Sequence, residues 1–188
     1  MPFDISAERI VAFVHANGDY APLIIFLMAF AETIVVLSVL VPSTVLFLAI
    51  SGLMAASGVP LVPSLIAGGL GSSLGFSLMY MLSSAMQGRI LTAWPLRNYP
   101  DTVAQALDFS RRWGAMGVMI GHFAGPLRVV IPIAAGISRM PPLSFMLANI
   151  VGAFGWITVF FAPGYLVVSS EWFRTTFSGV IAMLPWLK

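Results

Sequence analysis

"GPLRVVIPIAAG", from Gly125 to Gly136, is apolar almost throughout, yet it carries one arginine, Arg128, and two prolines, Pro126 and Pro132. Proline lacks an N–H and its ring clashes with the preceding helical turn, so the stretch reads as a broken helix. Irregular backbone at membrane depth is tolerated only where protein or a watery cavity satisfies its polar groups. A turn here leaves neighbouring N–H groups bare beside a fixed positive charge, and that combination suits an anion.

The rest of the chain supplies the setting. Of its 188 residues, 59% are hydrophobic and 9% charged, whereas a soluble domain carries about 25% charged residues. An integral membrane protein is therefore predicted. The interval from Glu32 to Arg89 holds no ionisable group besides Tyr80. One crossing takes about 20 residues, so this interval turns back at least once. Pro42, Gly52, Gly58, Pro60 and Pro63 mark the places, being poor in helix interiors. The absence of cysteine excludes disulfides, Fe–S clusters and thiolate zinc sites. Two histidines, His15 and His122, are too few for an ordinary histidine-built metal site. No metal or cofactor is expected. The net charge of +2, with scattered basic residues, argues against nucleic acid.

The chain reads as one polytopic all-α membrane domain. Residues 1–18 form an amphipathic N-terminal segment, either a surface helix or a cytosolic lead-in, without the pattern of a cleaved signal. Residues 20–86 make a first half: a spanning helix at roughly Tyr20–Leu40, a broken segment at Val41–Ser57 and a second spanning helix at Pro60–Met86. Residues 87–112 are a polar loop with an amphipathic helix near Asp101–Arg112. Residues 113–168 make a second half, with a broken segment at Ala115–Gly136 and a third crossing at Leu143–Val168. Residues 171–188 hold a short apolar run, interfacial or crossing.

The two broken segments resemble each other. Pro42 to Gly52 and Pro126 to Gly136 share their spacing, and the helices that follow align Pro60 with Pro141 and Gly71 with Gly152. Arg89, Arg97, Arg111, Arg112 and Arg139 place the central loop in the cytoplasm by the positive-inside rule. Two segments that re-enter from opposite faces then give an inverted repeat, with Pro42, Gly52, Gly125, Pro126, Pro132 and Gly136 shaping the hairpins.

An arginine at the bilayer centre costs about 2.5–3.5 kcal/mol on insertion scales, so Arg128 calls for a partner. Glu32 is the only acid between Asp19 and Asp101. His122, six residues before Arg128, adds a second polar group able to bind an anion or pass a proton. Thr44 takes Arg128's place in the first repeat. "GSSLG", Gly71 to Gly75, fits a serine-nucleophile pattern. That pattern needs a strand-to-helix elbow, which an apolar helix does not supply, so an enzyme is not predicted.

"FAETIVVLSVLVPSTVLFLAISGLMAASG", with "GHFAGPLRVVIPIAAGISRMPPLSFMLANIVGAFGW" and "PGYLV", resembles the DedA family, also called the VTT or SNARE-associated membrane domain. The resemblance covers about Ala21 to Val168. It implies a multi-pass protein of the bacterial inner membrane with two inverted re-entrant segments. It further implies a lipid-phosphate flippase or scramblase, for undecaprenyl phosphate or a phospholipid. The family's membrane acid falls on Glu32 and the second arginine of its basic motif on Arg128. Three positions depart from the pattern: Thr44 and Phe76 stand where acids are frequent, and His122 stands for the first arginine. The expected phosphate-binding residues are Arg128, His122 and Thr44, with Glu32 for charge pairing or proton coupling. The partners implied are a membrane lipid phosphate and protons; a homo-oligomer is left open. The alternative is a proton- or small-ion-coupled transporter maintaining membrane homeostasis.

Overall fold

The computed structural model describes residues 12, 15–34, 43–92 and 96–176. Most of the N-terminal segment, Pro42 and the end of the C-terminal run lie outside the described residues. Seven α-helices are seen there: α1 (Ala21–Glu32), α2 (Ser43–Ala56), α3 (Leu61–Met86), α4 (Pro100–Gly121), α5 (Ile131–Ile137), α6 (Pro142–Ser169) and α7 (Glu171–Thr176). Short 3-10 turns occupy Gln87–Thr92, Leu96–Asn98 and Gly125–Val129. Among the described residues there is no strand, and the fold is all-α.

α3 and α6 are the axis of the molecule. They hold 26 and 28 residues, so at 1.5 Å per residue they run about 39 and 42 Å, enough to cross a bilayer. α3 turns large residues outward and small ones inward. Val62, Ile66, Leu70, Leu74 and Leu78 face out at intervals of four, while Gly68, Gly71, Ser72, Gly75 and Ser83 are buried. A soluble helix does the reverse. In hydrocarbon a leucine gains nothing by hiding, and close approach of backbones supplies the packing energy.

The two long helices run antiparallel. Gly68 meets Ile157 and Gly69 meets Phe154. Further along, Asn149 bonds Ser73 and Ser77, and Tyr80 stacks on Phe145 with centroids 4.1 Å apart. The Tyr80 hydroxyl donates to the Met140 carbonyl at the end where α6 begins.

Each long helix is lined by a shorter one running in its own direction. Along α3, Gly68 meets Ile25, Gly71 the Phe26 carbonyl and Gly75 Phe30 and Thr33. Along α6, Gly152 meets the Met119 backbone and the His122 ring, and Gly155 meets Phe123. Gly71 and Gly152 are the aligned positions of the two halves, and both let a neighbouring backbone come within reach. The helix that lines α6 is the last part of α4, set off by a kink at Gly114, whose φ of 50° favours glycine.

The remaining short helices pack on the other half's long helix. α2 lies along α6: Phe47 makes edge contacts with Trp156 and Phe161, and Gly164 fits against the Leu48 carbonyl and Ser51. α5 lies on α3, where Gly136 fits against Ser83 and the Tyr80 carbonyl. The chain after Gly114 thus leaves the arginine-rich end, reaches Ser72 in mid-α3 through Arg128, and returns to Ser83. α1 and α2 occupy the opposite end, where Ala21, Met54, Val59 and Leu61 share one apolar cluster.

α1 covers Ala21–Glu32, with Thr33 Oγ1 donating to the Phe30 carbonyl; residues 35–40 of the expected first span lie outside the described residues. Among the described residues two helices, α3 and α6, are long and apolar enough to cross a membrane. Two expectations change. Gly52 does not interrupt the chain. It lies inside α2, 3.4 Å (as a notional Cβ) from Val168, where a small residue admits α6. Pro132 does not break a helix either: it stands in the first turn of α5, where a missing N–H costs nothing. Pro126 likewise opens the 3-10 turn, after Gly125 at φ 53°.

Gly71→Val should drive the Phe26 carbonyl away and separate α1 from α3, costing about 1–3 kcal/mol as overpacking does. Leu74→Val, on the outward face, should be close to neutral. Thermal unfolding in detergent micelles reads both, and equal midpoints would contradict the inside-out packing of α3.

Candidate functional site

Arg128 projects from the 3-10 turn between α4 and α5 and is 5% exposed. Its Nη1 lies 3.1 Å from Glu32 Oε1 at the end of α1. Its Nη2 donates to Ser72 Oγ at 3.1 Å, halfway along α3. The guanidinium carbon stands 3.6 Å from the centroid of the Trp156 ring on α6. Four elements therefore hold one cation: an acid, a hydroxyl, an aromatic face and the turn that carries it. The attraction to the indole adds roughly 2 kcal/mol in a dry setting. Among the described residues the Arg128 Nε–H is buried with no hydrogen-bond partner.

A second polar cluster adjoins the first through Phe76. The His122 ring stacks on Phe76 at 3.9 Å, and the Arg128 guanidinium carbon is 5.9 Å from the same ring. His122 Nε2 is 3.1 Å from Asn149 Oδ1. Asn149 Nδ2 donates to the Ser73 carbonyl at 2.9 Å and reaches the hydroxyls of Ser73 and Ser77 at 3.2 and 3.1 Å. Ser72 serves one cluster and Ser73 the other, so one turn of α3 anchors both. An asparagine in an apolar helix is costly unless its amide is bonded, and here both ends are.

Of the sequence candidates, Glu32 and Arg128 come into contact and His122 is one ring away. Thr44 is the second residue of α2, and its side chain lies outside the described residues, as does that of Pro126. Gly125 and Gly136 frame the turn and the return of the Arg128 segment. Ser73 lies within the unbroken α3 and is bonded by Asn149, while His122 bonds Asn149 as well; no nucleophile elbow is formed. Ser72, Asn149 and Trp156 were not singled out from the sequence. Asn149 had a signal, as the one amide in an otherwise apolar helix. Ser72 looked like any small packing residue, and Trp156 like any aromatic. Among the described residues, no group of three or more acids and histidines is placed to hold a metal.

An antiparallel pair of apolar helices long enough to cross a bilayer, with a buried Glu–Arg pair between the packed elements, has the character of a membrane protein. The VTT domain profile matches residues 41–166, more than half the chain, and the chain belongs to that family, the DedA group of membrane proteins. It is similar to inner membrane protein YohD of Escherichia coli strain K12, at 29% identity over 149 residues, 78% of this chain and 69% of that one. It is also similar to inner membrane protein YabI of the same strain, at 24% over 155 residues, 82% of this chain and 61% of that one. An uncharacterized membrane protein of Buchnera aphidicola subsp. Schizaphis graminum is 26% identical over 148 residues, 78% of this chain and 58% of its own length. The chain thus spans about three fifths of the length of YabI and of the Buchnera protein. No solved structure matches.

Removing one member of a buried ion pair leaves an uncompensated charge and costs about 3–5 kcal/mol, whereas removing both leaves none. Glu32→Gln and Arg128→Met should each destabilise by that order, and the double variant should regain at least half of the summed loss. Denaturant unfolding in micelles measures the cycle; strictly additive losses would show that the two side chains are not coupled.

Proposed function

We propose that this protein moves an anionic lipid headgroup, a lipid phosphate, across the bacterial inner membrane as a flippase or scramblase. The observation that carries the reading is Arg128: a buried guanidinium at the middle of α3, tied to an acid by one nitrogen and to a hydroxyl by another, with its Nε–H unfilled. Such a group is set to donate to a phosphate oxygen, because guanidinium N–H donors match phosphate in geometry and charge. Glu32 keeps the site neutral when it is empty and competes with the headgroup for Arg128. The lipid tails stay outside, along the outward leucines of α3 and α6.

We read the two broken arms as re-entrant hairpins of an inverted repeat. The support is the crossed packing of α2 on α6 and of α5 on α3, the antiparallel long helices, and the matching roles of Gly71 and Gly152. On this reading Glu32 stands at the tip of one hairpin and Arg128 at the tip of the other. The exposed arginines at 89, 97, 111, 112 and 139 then face the cytoplasm. Undecaprenyl phosphate is the favoured lipid by family resemblance, with a phospholipid as the other.

Reconstitution into proteoliposomes tests the reading. Wild type should accelerate transbilayer movement of a fluorescent lipid phosphate, and Arg128→Ala should abolish the acceleration. Movement at the wild-type rate in Arg128→Ala would remove the mechanism. Lipid left in place while protons or small cations leak through Arg128-dependent paths would favour the ion-transport reading instead.

A further inference from the structure

The candidate site consists mostly of donors, but His122 supplies an acceptor. The Asn149 amide nitrogen is oriented by the Ser73 carbonyl, which can only accept. Asn149 Oδ1 therefore faces His122, and since that oxygen also only accepts, His122 Nε2 carries the hydrogen between them. In the neutral ring this leaves Nδ1 with a bare lone pair. His122 is 1% exposed, and among the described residues Nδ1 has no partner. The Cδ2 edge of the ring abuts Gly152 on α6, so Nδ1, on the opposite side of Cγ, faces away from that helix. The stack on Phe76 holds the ring plane, and Phe76 also flanks Arg128.

We propose that His122, fixed in tautomer by Asn149, is a specificity-determining acceptor that recognises the P–O–H of a phosphate monoester. Arg128 takes an ionised oxygen of the same phosphoryl group. A singly ionised monoester offers both charge-bearing oxygens and a hydroxyl; a diester keeps the charge-bearing oxygens but has that hydroxyl esterified. A buried acceptor left unfilled by the diester weakens its binding. Asn149 acts through His122 and is a positioning residue. This inference rests on the anion-binding reading of Arg128 and narrows it to monoesters.

Two probes differing by one methyl group test it: hexadecyl phosphate and methyl hexadecyl phosphate, titrated onto the detergent-solubilised full chain and read by intrinsic tryptophan fluorescence. Wild type should bind the monoester about tenfold more tightly, the worth of one buried hydrogen bond. His122→Phe, which keeps the stack on Phe76, should bring the ratio near one without weakening the methyl ester. Asn149→Ala should lower the ratio in the same way, through a ring free to take either tautomer. Equal binding of the two probes by wild type overturns the proposal and leaves Arg128's role standing, as does a tenfold ratio that survives in His122→Phe. Binding of neither probe overturns the anion-site reading itself. Displacement of hexadecyl phosphate by inorganic phosphate at similar concentration assigns the acceptor to a free phosphate; its failure to displace assigns it to a lipid. Either result keeps His122 as reader of the hydroxyl.

Discussion

One ion pair organises this protein. Arg128 and Glu32 meet 3.1 Å apart beside the middle of α3, the acid at the end of α1 and the arginine in the turn between α4 and α5. A guanidinium in an apolar interior is tolerable only when its charge is answered and its N–H groups are used. That requirement draws in Ser72 from α3 and the face of Trp156 from α6. The pair is therefore where both halves and both long helices converge.

The small residues of α3 make this convergence possible. A side chain at Gly71 would occupy the place of the Phe26 carbonyl, and one at Gly75 the place of Thr33. Without them α1 stands off and Glu32 does not reach Arg128. Gly136 and Gly152 do the same for α5 and α4 in the other half. The outward leucines carry no such constraint, because they are exposed and touch no neighbouring backbone. Packing precision and polar chemistry thus lie on one side of the helix, and bulk apolar contact on the other.

Beside the ion pair, Asn149 binds α3, α4 and α6 into a neutral polar knot. Its partner His122 stands where the resemblance to the DedA family implies a second arginine. The site then has one permanent positive charge instead of two, and one acceptor it would otherwise lack. On the proposed reading, that exchange suits the site to an anion that also carries a hydrogen. The proposed monoester preference follows from this exchange.

Much of this was legible in the chain itself. Low charge and the long ionisable-free interval indicate a membrane protein, because insertion energetics act on composition. The lone acid Glu32 and the misplaced arginine could be paired by elimination. Other features depend on partners distant in sequence. The close fit of Gly52 and Gly164 between α2 and α6 is decided by how those helices meet. Ser72, Trp156 and Asn149 look like ordinary helix residues until the fold sets them around the charge. Local chemistry declared that a buried charge exists; only close packing between helices decided what surrounds it.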